Sequence, residues 1–90
     1  MDIEHQADRN RYVGRIDGEI VCALDYADNG SVVSMTRTFT NPAFRNRGLA
    51  AEIVAHAVDE VERAGKRVRP MCWYVADWFE AHPDRVALLA

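Results

Sequence analysis

Apolar and polar residues alternate from Arg11 to Ile16, and the alternation returns over residues 19–27 and again over residues 31–39. A period of two sends successive side chains to opposite faces of an extended chain, so each run predicts a strand with one buried face. In the second run Ile20, Cys22, Leu24 and Tyr26 share that face; in the third, Val33, Met35 and Phe39 do. Asp17-Gly18 supplies the positive-φ pair that a two-residue hairpin prefers, and Asp28-Asn29-Gly30 is a second turn signal. The three runs therefore predict an antiparallel meander.

Asn41-Pro42 breaks the strand pattern, and after Gly48 the period changes. Leu49, Ala50, Ile53, Val54, Ala57, Val58 and Val61 recur three and four apart, one face of a helix of about four turns. Arg63 falls in its last turn, where the helix dipole favours a cation, and Gly65 at its C′ position. Val68, Met71 and Trp73 predict a fourth strand ending near Cys72. A strand, helix, strand sequence of this length makes a right-handed crossover, which sets the two strands parallel. Residues 75–81 predict a short helix with Trp78 and Phe79 as its bulk, interrupted by His82-Pro83, and residues 85–89 a last turn. The predicted fold class is α+β: an antiparallel β-meander, a crossover helix, a parallel strand and a short C-terminal helical segment, forming one domain over residues 1–90.

Composition narrows the function. A chain of 90 residues buries only about two-thirds of its unfolded surface, so the core is thin. Hydrophobic residues at 49% and charged residues at 28% are those of an ordinary globular protein. No apolar run approaches the roughly 20 residues needed to span a bilayer, and residues 1–12 lack the apolar stretch of a secretory signal. The expectation is a cytoplasmic protein with no membrane partner. Cys22 and Cys72 make at most one bridge, and in a reducing compartment they are free thiols. A net charge of −3 gives no support to a nucleic-acid partner. His5, His56 and His82 have no ligand spacing, and no metal is expected. An exposed apolar edge is compatible with a monomer or a weak homodimer.

The junction between strand and long helix reads Arg45-Asn46-Arg47-Gly48-Leu49-Ala50. A helix start presents unpaired N–H groups and the positive end of its dipole, and Gly48 and Ala50 let a ligand approach the backbone closely. Arg45 and Arg47 add charge-assisted donors. A diphosphate fits such a nest better than a carboxylate. The competing reading is a solvated basic turn in which Gly48 merely starts the helix.

Arg45-x-x-Gly48-x-Ala50, following a strand and opening an amphipathic helix, resembles the acetyl-CoA pyrophosphate loop of the GCN5-related N-acetyltransferases. Thr38-Phe39-Thr40 before it, and Pro70-x-Cys72-x-Tyr74-Val75, Phe79 and His82-Pro83 after it, extend the resemblance over nearly the whole chain. The pattern is similar to the minimal acetyltransferase-like members of about ninety residues, in which a cysteine and a terminal His-Pro recur. The resemblance implies that the strand end around Thr38, Phe39 and Thr40 holds the pantetheine arm. It implies that the amides of Arg45, Asn46, Arg47, Gly48, Leu49 and Ala50 hold the pyrophosphate, that Tyr74 and Trp78 contact the cofactor, and that the thioester points into a gap between the third and fourth strands. Cys72 matches the family cysteine near that gap. Two positions depart from the family: Asn46 stands where many members have glycine, and Arg37 where the small members have histidine.

Cys72 is the candidate catalytic residue, as a covalent acyl acceptor if a cation or helix end lowers its pKa; the alternative is a small buried residue at a strand end. Trp73, Trp78 and Phe79 read as core aromatics, and His82 as a helix-ending residue. No general base stands out, since helix geometry sends Glu52 toward solvent. The leading expectation is a small acetyl-CoA-dependent N-acetyltransferase acting on an unidentified amine, with acetyl-CoA as its cosubstrate. Its rivals are an acyl-CoA-binding module without turnover and a nucleotide-phosphate site unrelated to CoA.

Overall fold

A computed structural model describes residues 1–90. Five strands form one sheet in the order β1-β2-β3-β4-β5: β1 Asp2–Gln6, β2 Arg11–Ile16, β3 Glu19–Asp28, β4 Val32–Thr40 and β5 Arg67–Pro70. Strands β1 to β4 are antiparallel, and β5 lies parallel to β4. Between β4 and β5 runs α1, Leu49–Arg63, and after β5 comes α2, Trp73–Ala81. The α+β class, the meander and the parallel crossover are as expected, and the meander has one strand more.

That extra strand, β1, offers one half-buried apolar side chain, Ile3, and no alternating apolar pattern. Its position depends on its partner, with Asp2 opposite Arg15 and Gln6 opposite Arg11. Side chains fasten it to α1 as well. Glu60 accepts from Tyr12 Oη at 3.3 Å and from His56 Nε2 at 2.7 Å, and it faces His5 Nδ1 at 3.2 Å. Tyr26 Oη lies 2.6 Å from the other His5 nitrogen, and the His5 ring stacks on Tyr12 at 4.1 Å. Burial first, and then the Glu60 carboxylate, push the Tyr12 phenol well above its ordinary pKa.

Two bulges correct the predicted faces. On β3, Cys22 pairs with Gly14 but Ile20 with Arg15, so Val21 stands between two paired residues and joins the core while Ile20 is only half-buried. On β4, Met35 pairs with Tyr26 but Arg37 with Asp25, leaving Thr36 as the extra residue. An extra residue reverses the alternation beyond it. Val33 and Met35 therefore face the core, as do Thr38 and Thr40 opposite Leu24 and Cys22, whereas Phe39 turns to the other face and is 42% exposed.

Helix α1 buries Leu49, Ile53, Val54, Ala57, Val58 and Val61 against the sheet, the predicted stripe apart from the half-buried Ala50. It ends at Gly65, whose amide donates to the Glu62 carbonyl while that of Lys66 donates to Val61, the paired bonds of a Schellman ending. From α2, Val75, Trp78 and Phe79 close the same core. Strand β5 stops at Pro70, short of the predicted end, because the Met35 carbonyl accepts both the Met71 and the Cys72 amides at 3.0 Å and turns the chain into α2. Met71 and Trp73 are consequently not core strand residues: they are 62% and 76% exposed.

Candidate active site

Between β4 and α1 the chain makes a short built connection. The Asn41 side chain accepts from the Ala43 amide at 2.9 Å, and Pro42–Phe44 form one 3₁₀ turn. Arg45 is extended, Asn46 is left-handed at φ 65°, and Gly48 is left-handed again at φ 72°, ψ 16°, as the N-cap of α1. Asn is among the few side-chain-bearing residues that adopt this conformation readily, so the departure at position 46 leaves the loop's geometry intact.

No side chain caps α1, and its first helical bond is Glu52 N–H to Gly48 C=O at 3.1 Å. None of the amides of residues 46–51 donates to a backbone or side-chain acceptor. A helix start ordinarily leaves its first few N–H groups orphaned; here the left-handed residues extend that run back through the loop. Arg47 lies over the Phe44 ring, 5.0 Å from its centroid, and Arg45 is exposed with no carboxylate partner. Positive side chains, unpaired donors and the helix dipole thus converge in a protein of net charge −3. This convergence arises from local geometry and not from global charge.

The loop forms one wall of a cleft of about 450 Å³, lined by Thr40, Phe44, Trp73, Tyr74 and the six residues Arg45, Asn46, Arg47, Gly48, Leu49 and Ala50. Every loop residue singled out from the sequence is there. Phe44 and Trp73 were missed. Trp73 was assigned to the core because it sits in an apolar run, yet at about 100° per residue it falls some 200° from Val75 and off the buried stripe of α2. Trp78 does not reach this cleft: it is 6% exposed, stacks on His82 at 3.9 Å and belongs to the core. His82 Nδ1–H donates to the Trp78 carbonyl at 2.7 Å, as a helix-ending residue does.

Beside the cleft the sheet opens. The β4–β5 ladder runs from Val32 and Arg67 to Met35 and Pro70, and beyond it β4 continues to Thr40 without a partner on that side. Cys72, half-buried and extended as the N-cap of α2, borders this gap with its Sγ 3.6 Å from Thr38 Oγ1. Burial pushes its thiol up, but the Thr38 hydroxyl, the first amides of α2 at Tyr74 and Val75, and the Thr38 amide outweigh burial and leave the pKa below the ordinary thiol value. Those α2 amides favour the thiolate without closing a capping hydrogen bond. Burial first, then the Asp77 carboxylate, raise the Tyr74 phenol. Phe39 contributes only its backbone to this edge, since its ring is on the opposite face. Glu52 is exposed, as its place on α1 requires.

Known proteins resemble this chain in sequence and in fold. NATD1 of Gallus gallus is 24% identical over 86 residues, covering 92% of this chain and 77% of that protein. NATD1 of Bos taurus is 26% identical over 84 residues, covering 90% and 74%. Among solved structures, an aminoglycoside N-acetyltransferase in complex with CoA superposes with a TM-score of 0.58 at 21% identity, over 79% of this chain and 63% of that one. A ribosomal-protein-alanine N-acetyltransferase from Brucella melitensis superposes with a TM-score of 0.57 at 19% identity, over 68% and 50%. The chain thus spans about half to under two-thirds of the solved proteins' length, and that likeness is one of fold. The family model described as GCN5-related N-acetyl-transferase matches residues 11–88, and with the mixed sheet, the basic loop and the open strand edge in place, the chain belongs to that family.

Proposed function

We propose that this protein binds acetyl-CoA in the cleft beside β4 and transfers its acetyl group to an amine. One observation carries the reading: the uninterrupted run of acceptorless amides at residues 46–51, flanked by Arg45 and Arg47, has the donors and charge a diphosphate requires. The free edge of β4 from Thr38 to Thr40 offers backbone groups to an extended, amide-bearing arm, as an added strand would use them. Such an arm leads from the loop to the gap at Cys72.

In this reading the chain contributes chiefly by holding the thioester and the amine together in the gap and by directing backbone donors at the carbonyl oxygen, where negative charge develops. The amine attacks the thioester carbon directly, its surplus proton leaves to solvent, and the CoA thiolate departs. Cys72, with its thiol pKa held low, is the candidate for a covalent route: its thiolate would attack the same carbon, take the acetyl group as a thioester and release the CoA thiolate; the amine would then attack that second thioester, release the Cys72 thiolate and lose its surplus proton to solvent. The amine acceptor, a cytoplasmic setting and action as a single 90-residue domain belong to this proposal.

A second reading, an acyl-CoA-binding module without turnover, is favoured by the lining of the cleft, which contains neither a carboxylate nor an imidazole. Calorimetric titration with CoA and acetyl-CoA, followed by thiol release across a panel of amines, separates the readings. Binding with amine-dependent thiol release supports the transferase, and binding without release supports the module. ATP or NAD binding as tightly as CoA overturns both.

A further inference from the structure

We propose that Trp73 is the base-recognition residue of the cleft: its indole stacks on the adenine ring of CoA and makes the site prefer the whole nucleotide-bearing cofactor over its phosphopantetheine portion. This rests on the reading of the cleft as a CoA site.

Trp73 is the most exposed large apolar side chain in the protein, at 76%. Tryptophan is seldom left so open in a small domain, where large side chains supply much of the core. Its position has a local cause: it is the first residue of α2, and the helix turns Val75, Trp78 and Phe79 inward while Trp73 points away from them. The Tyr74 ring packs against it in an edge-to-face contact, 5.7 Å between centroids and 77° between planes, beside the cleft that both line.

The cleft therefore joins two unlike surfaces: a nest of unpaired amides and a flat exposed aromatic plane. The first matches a diphosphate and the second a flat heteroaromatic ring, and a nucleotide carries both in one molecule. A flexible aliphatic arm gains little from a planar partner, whereas a nucleobase offers its full π-face. Although Trp73 follows Cys72 in the chain, it shares the lining of the cleft with the phosphate loop, whereas Thr38 and Cys72, at the gap, are not part of that lining.

The test is calorimetric titration of wild type, Trp73→Ala and Trp73→Phe with CoA and with 4′-phosphopantetheine. Because Trp73 is exposed and outside the core, all three proteins should give the same far-ultraviolet circular dichroism. Stacking predicts that Trp73→Ala binds CoA about tenfold more weakly, binds 4′-phosphopantetheine as wild type does, and that Trp73→Phe recovers most of the loss. Equal weakening toward both ligands places the indole on the pantetheine arm and overturns the proposal, as does unchanged affinity for CoA. If Trp73→Ala retains CoA binding, the cofactor reading survives without the stack; if wild type binds no CoA, that reading itself fails and the stack with it.

Discussion

Replacing Gly48 separates the start of α1, which the loop provides, from the proposed reception of a phosphate. Gly48 has φ 72° and ψ 16°, and a Cβ built there meets no protein atom within 4 Å. The cost to folding is therefore backbone strain without an internal clash, about 1–2 kcal/mol for alanine and more for a β-branched residue. In a domain of this size that lowers the melting temperature by about 4–16 °C. Gly65 supplies a matched control at the far end of α1, since it also has φ 72° and open space around its Cβ position. Gly48→Ala and Gly65→Ala should lose similar stability in thermal melts. Only the first lies in the cleft, where its methyl group occupies space at the loop backbone. If it displaces two amide-to-phosphate bonds of about 1.5–3 kcal/mol each, CoA binding weakens by about 3–6 kcal/mol, two to four orders of magnitude. Gly48→Val should be worse in both respects. Titration of the folded variants with CoA below their melting temperatures reads the effect. Wild-type affinity in Gly48→Val would refute the phosphate-loop reasoning, and an equal loss in Gly65→Ala would show that stability, not local geometry, controls binding.

Iodoacetamide followed by mass spectrometry should label Cys72 well before Cys22, which is fully buried and whose thiol burial pushes up; Thr38→Val should move the midpoint of the Cys72 pH–rate profile upward, and an unmoved midpoint removes the hydroxyl as its cause. Intact-mass analysis after incubation with acetyl-CoA should show an acetyl group on Cys72 only if the covalent route operates, and Cys72→Ala should then abolish amine-dependent thiol release. The raised Tyr12 pKa means that above the ordinary value of 10.0 the unfolded chain binds fewer protons than the folded one. Stability is then full below that pH and falls above it by up to about 1.4 kcal/mol per pH unit; urea unfolding of wild type and Tyr12→Phe across this range should show the steeper loss in wild type, and parallel curves would refute it. Arg45→Ala should leave the melting temperature unchanged and weaken CoA binding about tenfold at low salt, with a smaller effect at high salt; a salt-independent loss would mean the side chain acts otherwise.

Much of the frame was legible from local patterns. The α1 stripe repeats over fifteen residues, enough for its period to be unmistakable, and its buried face follows because no other face is apolar. Asp17-Gly18 and Gly65 impose their turns through backbone conformation, which depends on the residue and its immediate neighbours. The geometry of the loop at residues 45–50 follows for the same reason: left-handed Asn46 and Gly48 and a helix start are local properties, and together they leave a run of amides without acceptors before any distant residue is considered.

What tertiary structure alone decided lies where distant segments meet. Strand β1 has too little apolar pattern to announce itself, and β2 and Glu60 hold it. The bulges at Val21 and Thr36 are set by pairing register, so the reversal that turns Phe39 out and brings Thr38 inward was invisible in the alternation. The turn of the chain into α2 ends the β4–β5 ladder at Met35 and opens the sheet edge, and the reversal after Thr36 brings Thr38 against Cys72 across 34 residues of chain. Sequence determines dihedral preferences and which faces are apolar, because those are short-range properties. The gap and the Thr38–Cys72 contact required the packed fold, because each depends on how β4 meets the segment after β5, whereas the exposure of Trp73 follows from its place on α2.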